Sequence, residues 1–371
     1  MDLVREVQIH ELFRKFQDKY GGLCTIWLGG EPNIVIGEWE LMHEALVTKR
    51  ADFIGRKQNL LARILADERT NLMCMDYSPA WEVLRKVAHS ALRTFMANKN
   101  LPMIISENVD NAVNKMIKIK GPLDPEEYIR LSVSNIIATS AFGKRFDPDD
   151  LDFKNLKEAP ELIFQEAKNG LPADLFPALR VFFLHGEMRL RHGYQKFLKV
   201  LYKEYNSHVQ SYKEGTIRDF TDSILAAREE AKREGKLSSH YLTDDALSHI
   251  VVTLFGGGYK LPKRTSMLFN LTAPHLNEEY WPNPRVFKPE RFLDADGNLT
   301  KARLVGFVPF GLGRRQCPGE KLSYCDIFLI LSRLLQRCHV TLLKERENDL
   351  QPQPFGCISI PRNYEILVIE R

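Results

Sequence analysis

The chain has 371 residues, 44% of them apolar, enough to bury a large core in one or two domains. Its 52 Lys and Arg stand against 48 Asp and Glu, and the resulting net charge of +4 is too mild to make nucleic acid an expected partner. Six cysteines, at 24, 74, 317, 325, 338 and 357, show no CxxC spacing and no pairing with histidine clusters. That pattern argues against a structural zinc site, and so few cysteines fit a reducing compartment better than a disulfide scaffold. The run Met1-Asp2-Leu3-Val4-Arg5-Glu6 is charged, and no stretch reads as a signal peptide or a membrane span. The expectation is a soluble or peripheral chain.

In chain order, apolar positions at helical spacing over 6–19 predict a first helix, closed by the turn Gly21-Gly22. A strand pair, Cys24 to Leu28 and Asn33 to Ile36, follows across Gly29-Gly30-Glu31-Pro32. Helical periodicity returns over 79–97, 105–119, 126–142, 186–213 and 218–233, with a break at Asp147-Pro148-Asp149-Asp150. Beyond about residue 258, Pro262, Pro274, Pro282, Pro284, Pro289 and Pro309 forbid regular helix. Gly319 to Arg337 is helical again, and the tail alternates like strands at Tyr364 to Ile369. The fold class is therefore mainly α with small β-sheets, read as one domain over 1–371.

The proline-rich coil leads to Phe310-Gly311-Leu312-Gly313-Arg314-Arg315-Gln316-Cys317-Pro318-Gly319. Two glycines two residues apart permit positive φ and a tight turn with close backbone approach. Pro318 is placed to open a helix, so Cys317 is expected at a helix N-terminus, where N–H groups and the macrodipole favour a thiolate. Arg314 and Arg315 add positive charge. A thiolate so placed is a soft metal ligand of the kind haem iron accepts. The alternative for any free cysteine is a small buried apolar residue, and Cys325 and Cys338, on or at the end of an apolar helix, are read that way.

The order Phe, Gly, Gly, Arg, Cys, Gly in that loop matches the cytochrome P450 signature at every restricted position, and the chain resembles that family. The resemblance implies that Cys317 ligates the iron of haem b. It also implies that Phe310 packs beside the sulfur, that Gly311, Gly313 and Gly319 shape the loop, and that Arg315 pairs with a haem propionate. Trp81-Glu82-Val83-Leu84-Arg85 is similar to the family's Trp-x-x-x-Arg segment. Its i, i+4 spacing puts Trp81 and Arg85 on one helical face, where the family grips a propionate. Pro289-Glu290-Arg291-Phe292, Phe142-Gly143-Lys144-Arg145-Phe146-Asp147 and Tyr20-Gly21-Gly22 before Ile26-Trp27-Leu28-Gly29 resemble further family segments in the right order. Tyr77-Ser78-Pro79-Ala80-Trp81 most resembles microsomal members that act on steroids or aromatic xenobiotics.

Leu247 to Phe255 with Gly256-Gly257-Gly258 is similar to the family's kinked, oxygen-activating helix. An acid and a Thr should come next to relay protons. Tyr259-Lys260-Leu261-Pro262-Lys263-Arg264-Thr265 stands there instead and resembles a strand from much later in the fold, so Thr265 is not the missing threonine. The family's Glu-x-x-Arg helix has no room between them. Glu11/Arg14, Glu82/Arg85, Glu127/Arg130 and Glu230/Arg233 have that spacing but all precede the kink and read as helix-surface charges. The sequence thus predicts an incomplete cytochrome P450 fold. It lacks the end of the I helix and the J and K helices, has a deletion junction at 258/259, and starts inside the first catalytic-domain helix. Arg291 is expected to have lost its charge partners.

By resemblance the chain is a haem-thiolate monooxygenase that inserts one atom of O2 into a lipophilic steroid or xenobiotic. Electrons come from NADPH through cytochrome P450 reductase, with cytochrome b5 as a further partner. The family sits at the cytosolic face of the endoplasmic reticulum membrane; without the anchor, a cytoplasmic or peripheral location is expected. No catalytic residue is identified, because the acid and Thr pair is missing, and coupled turnover is not expected. The alternative is a non-catalytic haem binder or a poorly folded product of splicing. Lys86, Arg93, Arg314 and Lys321 are expected to form a basic face for an acidic reductase.

Overall fold

The computed structural model describes residues 9–28, 30–56, 60–66, 71–97, 101–147, 149–167, 177–255, 266–300, 304–343, 353–355, 358–360 and 364–371. In chain order its elements are α1 (Ile9–Tyr20), β1 (Leu23–Leu28), β2 (Glu31–Ile36), α2 (Trp39–His43) running into a π turn (Glu44–Thr48), and α3 (Leu60–Ala66). Then come α4 (Pro79–Met96), α5 (Leu101–Ile117), α6 (Glu126–Phe142), α7 (Leu151–Ala167), α8 (Leu184–Ser211), α9 (Phe220–Arg233) and α10 (Asp244–Phe255). The remainder is β3 (Ser266–Phe269), α11 (Thr272–His275), α12 (Glu320–Arg337), β4 (Cys338–Leu342), β5 (Gln353–Phe355), β6 (Ile358–Ile360) and β7 (Ile366–Glu370). The mainly helical class with small sheets agrees with the sequence reading, and the helix predicted over 126–142 has those same bounds.

These elements gather into two compact units, one of residues 1–57 and 262–317 and one of residues 58–261 and 318–371. The first is built on a three-stranded sheet of order β1-β2-β3, with β1 antiparallel and β3 parallel to β2. Phe13 of α1 packs with Cys24 and Val35 on one face of this sheet. The junction expected at 258/259 and the run Tyr259 to Thr265 lie outside the described residues; the strand observed here starts at Ser266.

The second unit is helical. Trp81, Leu84, Ala88, Leu92 and Phe95 form the buried stripe of α4, at the i, i+3, i+4, i+7 spacing of an amphipathic helix. A core of Phe95, Ile105, Val109, Val113, Met116, Ile136, Cys338 and Val368 joins α4, α5 and α6 to the β4–β7 pair. Asp110 of α5 takes a bidentate pair from Arg333 (2.9 Å on each side) and a further contact from Arg337 (3.0 Å), which tethers α12 along α5. The opposite side of α12 is another matter: Tyr324, Ile327, Phe328, Leu331 and Leu335 are exposed, Phe328 to 69%.

The sequence missed α7, and Pro160 inside it explains why, since proline argues against helix. Contact with α8 outweighs that penalty: a Cβ on Gly193 of α8 would lie 2.2 Å from Leu162 Cδ1, so the Leu162 side chain packs directly over the glycine. The i, i+3 charge pairs behave as surface charges. Arg14 meets Glu11 at 3.1 Å, Arg233 turns to Glu214 at 2.7 Å, and Arg130 contacts Glu126 and Glu161.

His208 at the end of α8 is buried, with Nε2 2.8 Å from Asp219 Oδ2 and Nδ1 3.0 Å from the Glu204 carbonyl. Asp219 also caps α9 by accepting from the Asp222 N–H, and Asp222 is clamped by Arg218 through two hydrogen bonds. His208, Asp219 and Asp222 have ligand-like proximity, but the guanidinium already neutralises Asp222 and both ring nitrogens of His208 have partners. The cluster is a helix-to-helix brace. Burial alone would lower the His208 pKa, yet the Asp219 hydrogen bond and charge outweigh it and the net shift is upward from 6.5. A histidine raised on folding adds stability that is full below its unfolded pKa and is lost as pH rises through the folded one. The stability difference between the chain and His208→Gln, measured by urea unfolding, should therefore be largest below about pH 6.5 and shrink at alkaline pH.

Candidate functional site: the cysteine loop and its approach

The coil that leads to the cysteine is ordered by aromatics and by one arginine. Trp281, Phe292 and Phe307 pack with ring centroids 5.3–6.0 Å apart, and His275 meets Phe307 edge-on while its Nε2 accepts from the Val308 N–H. Gly306, at φ +77°, lets the chain pass close to Pro274, where a Cβ would stand 2.9 Å from the carbonyl oxygen.

Arg291, expected to have lost its charge partners, is held by main-chain carbonyls instead. Its guanidinium donates to the carbonyls of Lys288, Pro282, Asn283 and Val286 at 2.9–3.2 Å. Carbonyls take the place of the charge partners, two of them from the turn Tyr280-Trp281-Pro282-Asn283-Pro284 and two from Val286 and Lys288. Asn283 makes this possible by adopting φ +53°, which asparagine tolerates better than most residues. Charged hydrogen bonds of this type are worth about 1.5–3 kcal/mol each when sheltered and less near solvent. Arg291→Met should lower the stability of this unit by about 1–2 kcal/mol in thermal unfolding, with Arg291→Lys intermediate.

The loop itself closes on a hydrogen bond from the Cys317 N–H to the Phe310 carbonyl, 2.9 Å. Within it, Gly311 N–H donates to Val308 (3.0 Å) and Gln316 N–H to Gly313 (3.1 Å), with Gly311 at φ +76° and Gly313 at φ +69°. Both glycines hold the left-handed conformation that the sequence required of them. Gly313 also lies against the π turn, and Arg315 Nε donates to the Ile54 carbonyl at 3.0 Å. Among the described residues Cys317 is the one exposed cysteine; Cys24, Cys74 and Cys338 are buried and Cys325 is half-buried. Burial raises the thiol pKa of Cys24 and of Cys338, which suits inert packing residues. The following helix starts later than expected. Its first residue is Glu320 and Gly319 is its N-cap, because the first i→i+4 bond runs from the Ser323 N–H to the Gly319 carbonyl; Pro318 lies outside.

Trp81 and Arg85 share a face of α4 as the spacing predicts. Ser78 caps the helix by accepting from the Trp81 N–H, the indole is 2% exposed, and the Arg85 guanidinium lies 5.4 Å from the ring centroid. The indole N–H donates to the Leu72 carbonyl at 3.0 Å, a partner the sequence gave no means of anticipating. In α10, Thr253 turns its hydroxyl back to the His249 carbonyl at 2.8 Å, and the glycines beyond Phe255 lie outside the described residues. A loop that presents an exposed soft donor, and is shaped by two left-handed glycines, fits a flat, iron-centred macrocycle.

The comparisons agree with this chemistry. The cytochrome P450 family model matches residues 2–260 and 254–368. The chain belongs to the cytochrome P450 family, and its class is the haem-thiolate monooxygenases that act on lipophilic substrates. Among curated proteins it is 26% identical to a steroid 17-alpha-hydroxylase/17,20 lyase of Rana dybowskii over 455 positions, covering 99% of this chain and 87% of that one. It is 23% identical to cytochrome P450 1A5 of Gallus gallus over 435 positions, covering 92% and 82%, and 24% identical to cytochrome P450 1A1 of Mesocricetus auratus, covering 92% and 83%. Each alignment is longer than the 371-residue chain, so each opens gaps where the relative carries residues this chain lacks. The two matched stretches of the family model meet at 254–260, the interval that contains Gly258.

Proposed function

We propose that residues 1–371 act as one haem-binding domain, in which Cys317 is the axial thiolate of haem b and the substrate is a steroid or aromatic xenobiotic. The exposed sulfur at the end of the closed 310–317 loop carries this reading. With haem bound, the Cys317 thiolate would hold the iron and supply the electron density that suits it to oxygen chemistry. Phe310, Gly311 and Gly313 give the sulfur its position, and Gly319 starts the helix that follows. Arg315 and Arg85 supply guanidinium groups for the propionates, with Trp81 as the surface that aims Arg85. Cys317→Ala should abolish the thiolate-type reduced-CO spectrum of the purified chain, while the far-ultraviolet circular dichroism changes little. An unchanged spectrum would remove the assignment.

Electrons are proposed to come from NADPH through cytochrome P450 reductase, with cytochrome b5 as a second donor, at the cytosolic face of the endoplasmic reticulum membrane. No described helix is long and apolar enough to cross a membrane. The basic residues Lys86, Arg93, Arg314 and Lys321 are proposed to meet the acidic reductase. Reversing their charge should slow association and flatten its dependence on ionic strength.

A second reading, a haem binder with poor turnover, is favoured by two observations. The family match breaks at 254–260, and no acid and Thr follow Gly258 in the sequence. One side of α12 also leaves Ile327, Phe328, Leu331 and Leu335 exposed among the described residues, an apolar surface of the kind that takes a further packing partner. In a reconstituted assay with reductase, NADPH and a panel of steroids and aromatic lipophiles, NADPH should be consumed with little hydroxylated product. Stoichiometric product that depends on Cys317 would instead assign full monooxygenase activity to this chain, with proton delivery taken over by another residue such as Thr253, one turn before the glycines.

A further inference from the structure

Two contacts of the cysteine loop reach a segment more than 250 residues away in sequence. Gly313 sits so close to the π turn that a Cβ there would lie 1.9 Å from the Leu46 carbonyl oxygen and 2.9 Å from its carbon. Backbone, unlike a flexible side chain, has nowhere to move. Two residues on, Arg315 Nε donates to the Ile54 carbonyl at 3.0 Å. The segment that receives both contacts is itself anchored. Met42 and Ala45 are buried beneath it, Lys49 N–H closes the π turn onto Glu44 at 2.7 Å, and Phe53 meets Phe269 of β3 edge-on at 6.5 Å. A π turn is a rare local geometry, held only where surrounding contacts require it.

We infer that Glu44–Ile54 is a positioning element for the thiolate loop, and that Gly313 and Arg315 are the residues that seat the loop on it. This rests on Cys317 being the iron ligand. Arg315 then has a role besides any charge pairing with a propionate: its Nε fixes the loop to the Ile54 carbonyl, a geometry a lysine ammonium does not reproduce. Gly313 is required twice, by its φ of +69° and by the Leu46 approach, so alanine there must push the loop off the segment.

The test uses the haem-loaded chain with Gly313→Ala, Arg315→Lys and Cys317→Ser. Two quantities are read: the fraction of the reduced-CO spectrum in the thiolate form rather than the protonated-thiol form, and amide hydrogen exchange over residues 44–54. Gly313→Ala should lower the thiolate fraction several-fold and speed exchange at 44–54 several-fold, with exchange in α4 unchanged. Arg315→Lys should do both to a smaller degree while keeping its positive charge, and it decides the matter if the alanine variant does not fold. Cys317→Ser should lose the thiolate form yet keep protection at 44–54. A thiolate fraction that falls with no change at 44–54 would overturn the inference, as would no change in either. A thiolate spectrum surviving in Cys317→Ser would overturn the ligand assignment instead, so the two failures are separable.

Discussion

The hydrogen bond from the Cys317 N–H to the Phe310 carbonyl governs the site. It closes the chain on itself within eight residues, and a closure so short can be made only with backbone in the left-handed region at Gly311 and Gly313. Once closed, the loop leaves Cys317 exposed, while Cys24, Cys74 and Cys338 are buried and Cys325 half-buried. The aromatic cluster of Trp281, Phe292 and Phe307 and the carbonyl cage around Arg291 hold the approach to that loop in shape. Much of the first unit can be understood as support for one short main-chain contact.

The sequence carried the helices with clean periodicity, as at Glu126–Phe142 and Pro79–Met96, because a single face of each is apolar. It did not carry α7, whose interior Pro160 argues against helix locally while its Leu162 packs over Gly193 of α8. The tight turn of the cysteine loop was legible because its glycines are called for by backbone conformation, which leaves a mark on sequence, whereas the later start of the helix after it was not. Main-chain acceptors leave no such mark. The Leu72 carbonyl under the Trp81 indole, the Ile54 carbonyl at Arg315 and the four carbonyls around Arg291 could have been supplied by any residue type. For that reason the partner of Arg291 was sought among acids and found elsewhere.

The helical unit shows an uneven distribution of support. One side of α12 is tied to α5 by the Asp110 cluster and by the shared core, and its Asp326 is half-buried, with loss of solvation lifting its pKa to about 6. On the other side, Ile327, Phe328, Leu331 and Leu335 are exposed among the described residues. A helix with apolar residues on both sides is built to lie between two partners, and this chain provides one of them among its described residues.

The cage around Arg291 has a further consequence. Where a carboxylate holds an arginine, acid dissolves the contact by protonating the oxygen. Peptide carbonyls do not titrate in water, and guanidinium keeps its proton throughout. The turn at 282–291 is therefore held by groups that are indifferent to acidity, and this stretch of the proline-rich coil keeps its hydrogen bonds in acid strong enough to protonate a carboxylate, below about pH 4.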